Sequence, residues 1–249
     1  MITVLADPVS ESLTGVSVRD ALALAGWSGR SYLEFLTRAL SSVRPNFETD
    51  RYRQAYREQA IDRAWFTSLL ASNLYMEGYS AGRLQQYAGV VGDVSLANDL
   101  IRHANDEAHH SRLFLDLIFL VFPDLDTVDF RRQAEANVVD LGTISPCPAD
   151  YPTPGSEELL NSLVLMNLFE IKALHLVRYL KPFIRAYVPA KHAREAIGIV
   201  DSIARDECHH IAYTAKHIES FIADVGKDAI TELMTGFIEQ MNLVDEFHV

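Results

Sequence analysis

Cysteine is nearly absent from the chain. Cys147 and Cys208 are the only two, too few for a disulfide scaffold. Positive charge is also in short supply: 22 Lys and Arg stand against 34 Asp and Glu, for a net charge of -12, and no run of basic residues occurs. Nucleic acid and anionic membrane surfaces both demand a basic patch, so neither is an expected partner. No stretch approaches the ~18 uninterrupted apolar residues of a membrane span. The opening MITVLADPVSES has neither a basic start nor a long apolar run. A reducing, cytoplasmic location is the expectation. Low-complexity tracts and an obvious linker are missing as well, so residues 1–249 read as a single domain.

What the chain does have is helical periodicity. Residues 1–17 read as irregular, and a helix opens at Ser17, with Gly26 and Gly29 breaking or bending it. After a polar loop at residues 44–50, one long helix is expected to Tyr87, its inward stripe formed by Phe66, Leu70, Asn73, Glu77, Ala81 and Leu84. A short turn at 89–93 leads into a helix from about Ser95 to Phe122, with Leu100, His103, Glu107, His110, Phe114 and Leu117 on one face. Pro123 closes it. A short helix over 129–139 and a Pro- and Gly-rich crossover over 142–155 follow. The third long helix starts near Ser156, with the stripe Leu163, Met166, Glu170, Leu174 and Val177. Pro182 is expected to kink it and Pro189 to end it. The fourth spans about 190–225 with Val200, Ile203, Glu207, His210, Thr214 and Phe221 in register, and a last amphipathic helix follows Gly226.

Within these stripes a short motif occurs twice, as Asp106-Glu107-Ala108-His109-His110 and Asp206-Glu207-Cys208-His209-His210. On a helix, residues three apart share a face, so each Glu-x-x-His pair can offer a carboxylate and an imidazole to one metal ion. A lone Glu77 and a lone Glu170 occupy the matching place in the other two stripes. Four acids centred on apolar faces would repel one another and resist ionisation unless cations compensated them. One Glu-x-x-His pair alone reads as an ordinary solvated face. The ordered set of Glu, Glu-x-x-His, Glu, Glu-x-x-His instead reads as a two-metal site in a four-helix bundle. Oxygen-rich coordination with few nitrogens suits iron or manganese better than zinc. Two iron ions are expected, with a manganese–iron pair or two manganese ions as alternatives.

His103 lies one turn before Glu107 on the same face and is read either as a seventh ligand or as a buried histidine bonded to a backbone group or carboxylate. His109 and His209 point about 100° away from the ligands and read as outside the ligand set. Cys208 reads as a small core residue.

On Glu77, Asp106-Glu107-x-x-His110, Glu170 and Asp206-Glu207-x-x-His210, residues 50–225 resemble the ferritin-like diiron carboxylate superfamily. That resemblance implies an all-α, ferritin-like four-helix bundle with additional N- and C-terminal helices. It implies that Glu77 and His110 serve one iron, Glu170 and His210 the other, that Glu107 and Glu207 bridge, and that Asp106 and Asp206 each accept the free N–H of the histidine on the opposite motif helix. Phe114 stands where the ribonucleotide reductase small subunit carries its radical tyrosine. Ala173 and Leu174 stand where methane- and toluene-type hydroxylases and acyl desaturases carry a threonine. Arylamine N-oxygenases have an extra histidine, but before the second motif, where this chain has Ile203. A haem-oxygenase-like diiron fold is the structural alternative, and its ligand pattern differs.

The activity so implied is O2-dependent oxidation of a small organic substrate, with amine N-oxygenation ahead of C–H hydroxylation or aldehyde deformylation. A ferroxidase or other iron-binding protein is the rival reading. The expected partners are O2, a small-molecule substrate and an external electron donor, and a homodimer is admitted. The substrate pocket is expected beside Leu70, Ala81, Ala104, Phe114, Met166 and Ile203.

Overall fold

A computed structural model describes residues 12–145, 147 and 152–246. Among them are nine α-helices, three short 3-10 turns and no strand. The all-α bundle expected from the periodicity is the architecture. Four long helices build it: α4 (Arg63–Ala88), α5 (Val94–Val121), α7 (Ser156–Tyr187) and α8 (Ala193–Ser220). Helices α4 and α5 pack along each other as one hairpin, α7 and α8 as the second, and α5 meets α8 across the middle. Before this bundle come α1 (Leu13–Leu24), α2 (Arg30–Ser42) and α3 (Asp50–Gln59), and after it α9 (Ile222–Glu246), interrupted as expected at Gly226 (φ 80, ψ 161). Helix α1 packs on α8, and α2 and α9 pack on each other. The short α6 (Val128–Glu135) lies in the crossover between the hairpins. The crossover positions 146 and 148–151 lie outside the described residues.

Several boundaries differ from the expected ones for local reasons. Helix α1 begins at Leu13 because Ser12 caps it, its hydroxyl accepting from Gly15 N–H at 2.9 Å. The single helix expected over 50–87 is two. The Asp62 carboxylate accepts from Ala64 N–H and Trp65 N–H and starts α4 afresh. Tyr187 Oη shares its one proton between the freed carbonyls of Ala60 and Ile61, at 2.9 and 2.6 Å. A tyrosine far along the chain thus stabilises the break. Helix α7 continues through Pro182 and stops at Tyr187. By length and apolarity α7 would suffice for a membrane span, and half of that window is buried inside the protein. Gly26 (φ 72) and Gly29 (φ 49) take left-handed backbone between α1 and α2, where a side chain would be strained.

Two apolar clusters fill the bundle, one on either side of a polar middle layer. One gathers Leu100, Leu163, Leu174 and Ile211 with the terminal helices, the other Phe66, Leu70, Phe114, Val200 and Ile203. A buried network braces the first. Tyr32 Oη donates to Asn167 Oδ1 at 2.6 Å, Asn167 Nδ2 donates to Ile211 O and Thr214 Oγ1, and Thr214 Oγ1 donates to His210 O at 2.6 Å. It ties α2 and α7 to the turn of α8 that carries His210.

His175 on α7 is buried between Phe47 and Tyr179, with Thr14 Oγ1 at 3.3 Å from Nε2. Burial, helped by the charges of Arg178 and Arg53 and opposed by Glu48, depresses its pKa from the ordinary 6.5 to about 4. A folded pKa below the unfolded one means that the unfolded chain takes the proton first as pH falls. The stabilisation is therefore complete above about 6.5 and is lost as pH drops towards 4. Relative to a His175→Gln variant, the wild type should lose about 3 kcal/mol of unfolding free energy over that interval. Urea titrations of both proteins at several pH values measure it, and parallel pH profiles would contradict it.

Candidate metal centre

The polar middle layer is where the four stripes converge. Glu107 and His110 project from α5, Glu207 and His210 from α8, Glu77 from α4 and Glu170 from α7. Each acid is tolerated at the centre of an apolar stripe because the other three helices bring groups to the same point. His110 Nδ1 lies 3.9 Å from Glu77 Oε2, 3.5 Å from Glu107 Oε1 and 3.5 Å from Glu207 Oε1. His210 Nδ1 lies 3.5 Å from Glu107 Oε1, 3.6 Å from Glu170 Oε2 and 3.5 Å from Glu207 Oε2. Glu107 thus presents one oxygen to both histidines, and Glu207 presents a separate oxygen to each.

His103 joins them. Its Nε2 lies 3.3 Å from Glu107 Oε1 and 3.4 Å from Glu170 Oε1, and its ring stacks on that of His210 with centroids 3.7 Å apart. Two groups of ligand atoms are each compact enough to hold one ion: Glu77, Glu107 and His110, and His103, Glu107, Glu170 and His210. Glu107 belongs to both.

Outside these groups, His110 Nε2 faces Asp206 Oδ2 and His210 Nε2 faces Asp106 Oδ2, each at 3.2 Å. An imidazole that donates its outer N–H to a carboxylate is left with a lone pair on its inner nitrogen. His109 and His209 are exposed, and Cys208 is buried in the core.

The inner atoms do not satisfy one another. His103 Nε2, His110 Nδ1, His210 Nδ1, Glu107 Oε1 and Glu207 Oε2 are all buried without a hydrogen-bond partner. Orphaned buried polar atoms are rare because each costs about 1–3 kcal/mol. Five of them aimed at one small volume fit a site built for cations, and their oxygen-and-nitrogen donor set is the kind that holds them.

The electrostatics carry the same strain. Burial, reinforced by the Glu107 charge, raises Glu77 well above the usual carboxylate range. Burial also pushes Glu207 up to about 8, with the Glu170 and Glu107 charges adding and His210 opposing. Burial would lower His110, but Asp206, Glu107 and Glu207 outweigh it and lift the imidazole to about 10. His210 is raised well above 6.5 by Asp106, Glu170 and Glu207 against the same burial. Against the same burial, Glu107 and Glu170 are lowered, Glu107 by Glu77 and both by the histidines beside them, so the cluster holds opposed charges that bound cations would rebalance.

A cavity of about 650 Å³ opens between α4 and α7 and reaches Glu77, Glu107 and Glu170 at its floor. Its walls include Met76, Tyr79, Met166, Phe169, Ala173 and Leu176, with Pro152 and Pro154 of the crossover. Of the six residues expected to line a pocket, only Met166 does so. Leu70, Phe114 and Ile203 are packed in one core cluster, Ala104 in the other, and Ala81 is fully buried. Inward stripe positions become core wherever two helices close on each other. The opening forms instead along the α4–α7 seam, where the stripe residues Asn73, Glu77, Leu84, Met166 and Glu170 are joined by neighbours such as Met76, Phe169 and Ala173.

Reasoning from sequence also missed Tyr213, whose Oη lies 2.8 Å from His103 Nδ1. Its signal was available, since it follows His210 by three positions on α8.

No family model, no curated protein and no solved structure matches the chain.

Proposed function

We propose that this protein is a ferritin-like diiron carboxylate oxygenase that uses O2 to oxidise a small organic substrate, amine N-oxygenation being the first reaction to test. The observation that carries the reading is the set of five unpartnered donor atoms buried against one another between α5 and α8. Glu77, Glu107 and His110 would hold one iron, and His103, Glu107, Glu170 and His210 the other, with Glu207 spanning both histidines. Two ferrous ions so held would supply electrons for the reduction of O2.

The chain's own residues do the rest. The cluster has two unlike sides. The His110 and His210 side chains are 0% and 2% exposed, whereas those of Glu77 and Glu170 are 13% and 12% exposed. Chemistry is therefore directed to the carboxylate side, the side the cavity reaches. Met166, Phe169, Ala173 and Leu176 give a substrate an apolar wall beside the floor. Asp106 and Asp206 hold two imidazoles in one tautomer, so the protein need not reorganise during reaction. For an amine, one oxygen atom ends on nitrogen and the other leaves as water, with two electrons and two protons from an external donor.

A cavity of this size beside the carboxylates favours a substrate-oxidising enzyme over an iron store. Single-turnover reaction of the diferrous protein with O2, an arylamine and a fatty aldehyde in turn tests the reading. Consumption of the amine with hydroxylamine formation is expected. Iron uptake well beyond two ions per chain, with no substrate oxidised, would replace this reading with a ferroxidase.

A further inference from the structure

The three histidines of the cluster are not supported alike. His110 and His210 each turn an outer Nε2 to a carboxylate, Asp206 or Asp106. His103 turns Nε2 inward, and its outer nitrogen, Nδ1, lies 2.8 Å from Tyr213 Oη. Tyr213 Oη in turn donates to Met166 Sδ at 3.2 Å. A phenol has a single proton, and a thioether sulfur only accepts. With that proton given to Met166, the phenol oxygen meets His103 Nδ1 as an acceptor, so Nδ1 carries the hydrogen. The lone pair then sits on Nε2, between Glu107 Oε1 at 3.3 Å and Glu170 Oε1 at 3.4 Å.

We infer that Tyr213 is a positioning residue that holds His103 in the Nδ1–H tautomer as a nitrogen donor to the second metal position, and that Met166 orients Tyr213 from the cavity wall. The inference rests on the two-metal reading. It explains why Nε2 is buried with no partner beside the stacked ring of His210, its centroid 3.7 Å away. It also makes His103 the weakest of the three imidazole donors, because a neutral phenol oxygen makes its histidine less basic than a carboxylate does. Met166 lines the cavity. A molecule that displaces its sulfur frees the phenol proton to turn towards Nδ1, which favours the other tautomer and withdraws Nε2 from the metal. Occupancy of the cavity is thereby linked to the number of nitrogen donors at one ion.

The test uses full-length protein labelled with ¹⁵N-histidine and loaded with zinc(II), a diamagnetic divalent ion. In the wild type, Nε2 of His103 and Nδ1 of His110 and His210 should move to metal-bound shifts, and His103 should keep a slowly exchanging Nδ1–H. Tyr213→Phe should speed that exchange and weaken the second zinc about tenfold, the low end for losing an outer partner of a ligand. Met166→Leu should weaken it in the same direction. The double variant should be no worse than Tyr213→Phe, because both changes act through one hydroxyl. An unshifted His103 beside shifted His110 and His210, or losses that simply add, would overturn the inference and leave the two-metal reading standing. If zinc shifts none of the three histidines, both fall.

Discussion

Replacing Glu107 with alanine is expected to reduce bound iron from two ions per chain to one or fewer, the largest single loss any ligand substitution should produce. Glu107 Oε1 is the atom shared by both candidate groups, at 3.3 Å from His103 Nε2 and 3.5 Å from the Nδ1 atoms of His110 and His210. Each of the other three carboxylates faces fewer histidines. Glu77 meets one, and Glu170 and Glu207 meet two each. The loss should also appear as stability. An ion present at a thousandfold above its dissociation constant stabilises the folded state by about 4 kcal/mol. The wild type should therefore gain several degrees in Tm on adding ferrous iron anaerobically, and Glu107→Ala should gain little or nothing. Iron analysis after gel filtration and paired melting curves measure both effects. Retention of two ions by the variant would remove Glu107 from the centre of the account.

The second large effect is expected at the cavity. Ala173→Trp should lower kcat/KM for substrate oxidation about a hundredfold or more, the scale on which misplacing a reactant costs rate. Iron content should be unchanged, because Ala173 contributes no donor atom and sits on the wall beyond Glu170. An indole there fills the space between α4 and α7 that a substrate needs, while O2, being small, still reaches the floor. Oxygen should then be consumed without product. Steady-state kinetics together with an oxygen electrode separate the two rates. Unchanged turnover would show that the substrate enters elsewhere.

The convergence of Glu77, Glu107, His110, Glu170, Glu207 and His210 was legible because a helix maps spacing onto direction. Positions 107 and 110, or 207 and 210, share a face whatever the tertiary structure does. Glu77 and Glu170 were found by the same logic, as single acids centred on apolar stripes. The pocket was not legible for a reason of the same kind. Periodicity says which side of a helix turns inward, but not which two helices stand apart. Leu70 and Phe114 point inward and are buried in solid core, whereas Met76 and Phe169, about half exposed, line the opening. The break between α3 and α4 depends on Tyr187, more than a hundred residues away along the chain, so no local pattern marks it beyond the capping Asp62. Tyr213 escaped because its role is defined by a contact across helices, from α8 to His103 on α5. His103 itself was left open between ligand and core histidine, and its unpartnered inward nitrogen supports the ligand.

That asymmetry makes one measurement the most direct. The two positions differ by His103, so two irons bound as proposed would be inequivalent, and Glu107, common to both groups, would couple their spins. A Mössbauer spectrum of the protein reconstituted with ⁵⁷Fe and oxidised by air should show two iron ions per chain as two quadrupole doublets of equal area, with no magnetic splitting at low temperature. A magnetically split spectrum of isolated ferric ions, or iron well below two per chain, would contradict the two-metal centre on which the proposed chemistry depends.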